Sequence, residues 1–196
     1  MKKLKRLSKN RKSVVVFIYG PIAVGKFTVA NILSKKLGYK LAHNHTLNDF
    51  VDNIFTRTTY ARNIMVERLR YDLLKNAVKA KINLITTHCY SHNFISTTGL
   101  SDPKYVETLE KQLTKLGAKF FGVHLKAEGK ELLYRVSMNS RRKFRKLRDR
   151  QAMCACLFTN DWQTSPKLKN NLIINNTHLS PQKVSDMIIK HFKIKP

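Results

Sequence analysis

The sequence has few acidic residues, few cysteines and no long apolar run. Only 12 of its 196 residues are Asp or Glu, so a carboxylate that takes a proton or binds a metal must come from a short set. No stretch approaches the roughly 20 apolar residues of a membrane span. The three cysteines are an odd number without metal-ligand spacing, which favours ordinary thiols and a reducing, cytoplasmic compartment.

The scarcity of acid leaves a formal net charge of +26. Residues 1–12 carry seven Lys or Arg and no acid, and residues 141–150 carry seven against Asp149. A positive charge of this size favours the binding of polyanions, including nucleic acid. Compositional drift toward lysine explains the charge equally well, so nucleic acid stays a possible partner. We expect 1–12 to be a basic tail and 13–196 to be a single domain.

A short apolar run, a turn bounded by glycines and a helical pattern follow one another near the start of the chain. Residues 14–19 read VVVFIY, residues 20–28 read GPIAVGKFT, and apolar residues then recur with helical spacing. This order is the context that a phosphate-binding loop requires. The residues expected to bind a nucleoside triphosphate are Gly20, Ala23, Val24, Gly25, Lys26, Phe27 and Thr28.

One position departs from the strict form of this motif. The residue after the lysine is normally Ser or Thr, which binds Mg²⁺, and here it is Phe27. Nucleoside monophosphate kinases have a comparable offset, with the hydroxyl one residue later. We therefore expect ATP and Mg²⁺ as cofactors and Thr28 as the hydroxyl near the metal.

Strand-like and helix-like segments alternate along the whole chain. Strands are predicted at about 13–19, 39–43, 81–87, 118–125 and 172–174, and helices at about 25–37, 47–55, 61–80, 102–116, 129–138, 152–158 and 181–192. This alternation predicts a three-layer α/β fold, a five-stranded parallel sheet flanked by helices. Ligands should bind beyond the carboxyl ends of the strands, where the following segments meet.

Residues 19–30 (YGPIAVGKFTVA), 39–45 (YKLAHNH) and Asp49 together resemble a known group. They are similar to the small kinase-like P-loop proteins often labelled AAA-domain or shikimate-kinase-like ATPases. The similarity continues through 84–87, 123–125, 132–136, 140–141 and 179–181, and so covers nearly the whole chain beyond the basic tail. It implies a nucleoside-monophosphate-kinase-like fold with a mobile lid, and it supplies no substrate.

The third strand ends in TTH without a carboxylate, so no Walker-B-type aspartate is visible there. Among the acidic residues, Asp49 and Asp52 follow the second strand on the correct side of the sheet. We favour Asp49 as the residue that orients the acceptor or takes its proton, with an ion pair to a lysine as the alternative. Asp102 is interpreted as a helix cap and Asp149 as a partner of arginine. The residues expected to position the acceptor are Asn44, His45 and Thr87.

The basic stretch at about 139–150 stands where related kinases carry a lid. Arginines there would close over the triphosphate, and the leading candidates are Arg135, on the preceding helix, and Arg141. The alternative is a solvated or RNA-contacting helix. The expected function is ATP-dependent phosphoryl transfer to a small hydroxylated or phosphorylated metabolite. The other readings are a nucleic-acid-directed kinase or NTPase and a nucleotide-gated binding protein.

Overall fold

A five-stranded parallel sheet lies at the centre of the computed structural model, which describes residues 12–141 and 146–196. Its strands are β1 (Val14–Gly20), β2 (Lys40–Ala42), β3 (Leu84–Cys89), β4 (Lys119–Lys126) and β5 (Asn171–Asn175). They lie in the order β2-β3-β1-β4-β5, and all neighbouring pairs are parallel. The predicted α/β fold with a parallel sheet is confirmed.

Helices cover both faces of this sheet. They are α1 (Lys26–Leu37), α2 (Asn44–Asp52), α3 (Tyr60–Lys79), α4 (Asp102–Lys115), α5 (Gly129–Val136), α6 (Arg150–Thr159) and α7 (Pro181–Phe192), with a short 3₁₀ turn at Asn139–Arg141. One apolar core joins the sheet to α1, α5, α6 and α7, and a second joins it to α3 and α4. Alternate residues of β1 enter the two cores, which is why this strand reads as a continuous apolar run.

Two elements begin three residues away from where the sequence predicts, and the other starts agree within two residues. Helix α2 starts at Asn44 instead of residue 47, because the imidazole Nδ1 of His43 accepts a hydrogen bond from the N–H of His45 and caps the helix. Histidine is not among the usual capping residues, so the sequence gives no signal for this start. Strand β3 is shifted toward its carboxyl end, because Lys81, with a φ of 60°, still belongs to the turn after α3.

Parts of two predicted segments lie outside the described residues. Of the basic tail, residues 1–12, only Lys12 is described, and residues 142–145 of the predicted lid are not. The division into a tail and one domain therefore stays a prediction. None of the helices within 12–141 and 146–196 combines the length and the apolar character needed to cross a membrane.

Candidate active site

The phosphate loop depends on two glycine conformations. Gly20, the last residue of β1, has a φ of 138°, and a Cβ atom there would lie 2.2 Å from the carbonyl oxygen of Leu125. Gly25 has a φ of 92° and precedes the first turn of α1. Other residues rarely adopt such values of φ. The two glycines thus fix the turn that brings the amino end of α1 to the carboxyl edge of the sheet, which suits anion binding.

Lys26 is the first residue of α1, and its ammonium group lies inside the loop. Nζ donates hydrogen bonds to the carbonyl oxygens of Gly20 and Pro21, at 2.8 Å and 2.5 Å. Burial lowers the pKa of Lys26 below its usual 10.5. A cation held beside the amino end of a helix is well placed to bind phosphate oxygens.

A cavity of about 760 Å³ extends from this loop across the carboxyl edge of the sheet. Its walls come from the loop, the start of α2, the end of β3, α5 and the start of α7. The predicted site residues that line it are Ala23, Val24, Gly25, Lys26, Phe27, Thr28, Asn44, His45, Thr87, Arg135 and Arg141. Gly20 and Asp49 are the two that do not line it, so most of the residues predicted separately share one cavity.

Phe27 lies between the phosphate loop and the helix α2. Its ring packs edge-on against the imidazole of His43, with 4.3 Å between the ring centroids, and the ammonium of Lys146 lies 5.1 Å from its centroid. Because this residue is a phenylalanine, it has no hydroxyl at the position that holds the metal ligand in the strict motif. The next residue, Thr28, is exposed and lines the cavity, so its metal-binding role stays a prediction.

Arg135 ties α5 to the phosphate loop. Its guanidinium donates to the Glu131 carboxylate at 2.6 Å and to the Val24 carbonyl at 3.3 Å. It also donates to Asn176, through the side-chain and backbone oxygens, and to the Thr177 carbonyl. These five bonds use all five of its N–H donors. The structure thus places Arg135 as a support of the loop, and its predicted contact with the triphosphate stays a prediction.

Two further cations face the loop from the part of the lid that is described. Arg141 donates from Nε to the carbonyl oxygen of Leu147 at 2.9 Å, and both Arg141 and Lys146 line the cavity. Burial, followed by the charges of Arg141 and Lys26, lowers the pKa of Lys146 to about 8. Lys26, Arg141 and Lys146 thus lie close enough to repel one another. A bound polyanion would offset this repulsion.

The two histidines at the start of α2 are neutral at physiological pH. The imidazole rings of His43 and His45 stack with 5.2 Å between their centroids. Burial is the largest cause that lowers the pKa of each to about 4, and the charge of Lys146 contributes to both shifts. They can therefore donate or accept hydrogen bonds here without adding charge to the cavity.

Asp49 is the acidic residue of α2 whose carboxylate forms no ion pair within residues 12–141 and 146–196. Its Oδ1 atom is buried and has no hydrogen-bond partner in the described part of the chain. Its charge partly opposes the lowering of the Lys146 pKa, so the carboxylate is within electrostatic reach of the lid. Asp52, by contrast, accepts hydrogen bonds from Arg57 at 2.6 Å and Arg62 at 2.8 Å. Of the two aspartates, only Asp49 has a carboxylate oxygen without a hydrogen-bond partner in the described residues.

The end of β3 supplies hydroxyl and imidazole groups and no carboxylate. Thr87 Oγ1 accepts a hydrogen bond from the backbone N–H of Asn44 at 3.4 Å, which joins β3 to the first turn of α2. Asn44 and Thr87, two of the three predicted acceptor-binding residues, thus lie next to each other, although 43 positions separate them in the chain. The next residue, His88, points into the core instead of the cavity.

Two aspartates have other roles than the sequence predicts. Ser101 caps α4, whereas Asp102 is buried and accepts hydrogen bonds from His88 Nε2 at 3.1 Å and the Ser91 N–H at 2.8 Å. Asp149 caps α6 by accepting from two backbone N–H groups, and none of the described arginines forms an ion pair with it. In both cases the side chain satisfies local donors, which residue type alone does not reveal.

Asn48 and Arg70 are site residues that the sequence did not point to. Asn48 lines the cavity one helical turn after Asn44, and Arg70 Nη2 of α3 donates to the Oδ1 atoms of both asparagines. A helix that begins at Asn44 puts the two asparagines on one face, because residues four apart are neighbours. The sequence analysis therefore missed Asn48 because it placed the start of α2 three residues too late.

The residues present fit a magnesium–nucleotide complex. In the described ranges no cluster of three or more His, Cys, Asp or Glu is arranged to hold a metal ion by itself. Mg²⁺ does not require such a cluster, because it is usually held by one or two protein oxygens together with substrate phosphates and water. The hydroxyl of Thr28, beside the phosphate loop, is the protein oxygen that the motif offers.

No protein-family model and no curated protein matches the sequence. The fold, however, matches many solved structures. A sugar kinase from Janibacter sp. HTCC2649 aligns with a TM-score of 0.64 and 13% identity, covering 94% of this chain and 96% of that one. The chain has the fold of the P-loop kinases.

Two neighbours that bind ligands show the same similarity. The APS kinase of Mycobacterium tuberculosis, in complex with AMPPNP and APS, aligns with a TM-score of 0.62 and 12% identity over 94% of this chain and all of that one. Shikimate kinase from Acinetobacter baumannii, in complex with shikimate, aligns with a TM-score of 0.55 and 13% identity, covering 93% and 94%. The resemblance to a shikimate-kinase-like P-loop group is confirmed at the level of the fold.

Proposed function

We propose that the protein is an ATP-dependent kinase that transfers the γ-phosphoryl group to a hydroxyl of a small metabolite. One observation carries this proposal: a single cavity is bounded by the phosphate loop at one end and by the start of α2 at the other. Phosphoryl transfer needs two substrates held in line, with cations around the charge that develops, and little covalent chemistry from the protein.

The nucleotide end of the cavity is suited to a triphosphate. Lys26, Arg141 and Lys146 converge there. After burial, the charge of Arg141 lowers the pKa of Lys26, and the charges of Arg141 and Lys26 lower that of Lys146. A bound triphosphate would reverse this repulsion and hold the lid against the loop. Magnesium, when bound with the nucleotide, would neutralise part of the phosphate charge, and Thr28 would hold it.

The α2 end of the cavity is suited to the acceptor. Asp49 follows the cavity-lining Asn48 and does not line the cavity itself. It would take the proton from the acceptor hydroxyl, at this edge of the cavity, as the hydroxyl oxygen attacks the γ-phosphorus. The bond from that phosphorus to the β–γ bridging oxygen then breaks to release ADP. His45 and Asn44 would position the acceptor through hydrogen bonds. Thr87 stabilises the first turn of α2 by accepting a hydrogen bond from the backbone N–H of Asn44.

The direct test is transfer of label from γ-labelled ATP to fractions of a metabolite extract, in the presence of Mg²⁺. The intact protein is expected to label at least one small hydroxylated compound. Lys26→Ala should abolish the transfer, while Lys35→Ala, on an exposed turn of the same helix, should leave it unchanged. Tight ATP binding without transfer or hydrolysis would contradict the kinase proposal and favour a nucleotide-gated binding protein.

Action on nucleic acid is the second function that the sequence leaves open. It is motivated by the net charge of +26 and by two basic clusters, residues 1–12 and 141–150, which lie partly outside the described ranges. It therefore stays a prediction from charge alone. Binding of RNA that weakens steeply with salt would support it.

A further inference from the structure

Arg70 fixes the orientation of two asparagine side chains that line the cavity. Its Nη2 atom donates one hydrogen bond to Oδ1 of Asn44 and another, 3.2 Å long, to Oδ1 of Asn48. A guanidinium group has only donors, so the atom of each amide that faces it must be the oxygen. The orientation of both amides therefore follows from the chemistry of the donor that they share.

The same bonds determine what the asparagines present to a ligand. Because each oxygen is directed at Arg70, each Nδ2 group is directed away from it, and Asn44 and Asn48 line the cavity whereas Arg70 does not. Neither Nδ2 group has a hydrogen-bond partner in the described residues, and neither is sealed from solvent. The cavity thus has a pair of amide groups that can only donate.

Arg70 also places a positive charge behind this pair, and this charge forms no ion pair with a described carboxylate. Its Nε atom is buried and has no hydrogen-bond partner within 12–141 and 146–196. Its guanidinium packs 5.9 Å from the centroid of the Tyr105 ring, which helps to hold it in place. An anion on the cavity side of the amides would be attracted by this charge through two polarised hydrogen bonds.

We propose that the α2 end of the cavity is an anion receptor, so that the phosphoryl acceptor carries a carboxylate or phosphate group as well as the hydroxyl. Asn44 and Asn48 bind that group through their Nδ2 atoms, and Arg70 is a positioning residue that orients them. This assignment names the acceptor class of the kinase proposed above and rests on that proposal.

Simple anions test the receptor without knowledge of the acceptor. The ¹⁵N-labelled protein, with AMPPNP and Mg²⁺ bound, is titrated with sodium acetate and separately with inorganic phosphate, at ionic strength kept constant with chloride. The side-chain NH₂ resonances of Asn44 and Asn48 are expected to shift with saturation, and those of Asn53, exposed at the end of the same helix, should not. The acetate and phosphate arms distinguish the two anion types, and glycerol serves as the neutral probe.

Two variants separate the receptor from general charge. Asn48→Asp keeps the acceptor oxygen for Arg70 and replaces the donor by a negative oxygen, so anion affinity should fall roughly 10- to 100-fold. Asn53→Asp adds the same charge to the same helix and should change the affinity less than twofold. Arg70→Met should reduce the preference for anions over glycerol, whereas Arg70→Lys, which keeps a positive donor, should retain part of it.

Several results would overturn the receptor. They are an absence of shifts in the NH₂ signals of Asn44 and Asn48 at 100 mM of both anions, equal responses to glycerol and acetate, and equal losses in Asn48→Asp and Asn53→Asp. None of these measurements requires phosphoryl transfer. Failure of the receptor therefore leaves the kinase proposal standing, and absence of labelled product leaves the anion titration informative.

Discussion

The two ends of the cavity are built in different ways. The nucleotide end comes mainly from one contiguous segment, residues 20–28, in which a strand, two glycine conformations and a helix start position the backbone and Lys26. The α2 end comes from residues far apart in the chain, with Asn44 resting on Thr87 and Arg70. The first is thus set by local backbone geometry and the second by contacts between helices and the sheet.

This difference separates binding from chemistry in mutational tests. Asp49→Asn removes the proposed proton acceptor at the α2 end and preserves the shape of the side chain. Phosphoryl transfer should fall by about 10² to 10⁴, the usual contribution of a positioned general base, while the Kd for Mg·ATP stays within twofold. Steady-state kinetics and calorimetry measure the two quantities.

Asp72→Asn, on an exposed turn of α3, is the matched control and should leave the transfer rate unchanged. A variant of Asp49 that keeps full activity would remove this residue from the mechanism. A parallel loss of ATP binding would show that the two ends are not separable.

At the nucleotide end, the backbone itself is the sensitive element. Gly20→Ala would place a methyl group against the carbonyl of Leu125 at a φ that Ala rarely adopts, so we expect a loss of about 3 kcal/mol or more in the free energy of unfolding. Gly38→Ala is the control, since its φ is 68° and no atom lies within 4 Å of the new methyl group. It should lose only about 1 kcal/mol. Urea denaturation checks both, and equal losses would contradict the role of the close approach.

The α2 end should be sensitive to acid. The pKa of His43 is about 4 in the folded protein and about 6.5 when unfolded, so the unfolded chain binds more protons between these values. Stability is therefore full above pH 6.5 and decreases as the pH falls to 4. His43→Asn keeps an oxygen that caps α2 and removes the titration.

In His43→Asn, the difference between the free energies of unfolding at pH 7 and pH 4 should be about 2 kcal/mol smaller than in the wild-type protein. Urea denaturation at each pH measures it. An unchanged difference would show that His43 is not held neutral by its surroundings.

The lid should make nucleotide binding depend on pH in the alkaline range. Lys146, with a pKa of about 8, is charged below that pH, and a bound triphosphate would raise its pKa. Binding above pH 8 then requires proton uptake, so ATP affinity should fall by up to about tenfold per pH unit until the pKa of the complex is reached. Lys146→Arg, which stays charged, should remove this dependence in calorimetry between pH 7 and 9.5. A wild-type affinity that is flat over this range would contradict the placement of Lys146 beside the nucleotide.

The nucleotide end of the cavity could be predicted from the sequence more fully than the α2 end. The parallel sheet and the phosphate loop were predictable, because apolar runs, glycines and Lys26 are adjacent in the chain and act through local backbone geometry. Asn44, His45 and Thr87 were assigned to one edge of the sheet by topology, and the cavity brings them together.

The rest depends on contacts that a linear pattern does not contain. The cap of α2 by His43 decides which residues of that helix share a face, and so conceals Asn48. Arg70 lies 26 positions from Asn44 and reads as one of many basic residues on a surface helix. The buried bonds of Asp102 are likewise formed only when α4 packs beside β3.

The kinase proposal depends most on the binding of a polyphosphate by the phosphate loop and Lys26. Titration calorimetry with Mg·ATP tests this binding directly. We expect one binding site per chain in the wild-type protein and in Lys35→Ala, and loss of the binding heat in Lys26→Ala. A folded wild-type protein that takes up neither Mg·ATP nor Mg·GTP would contradict the account.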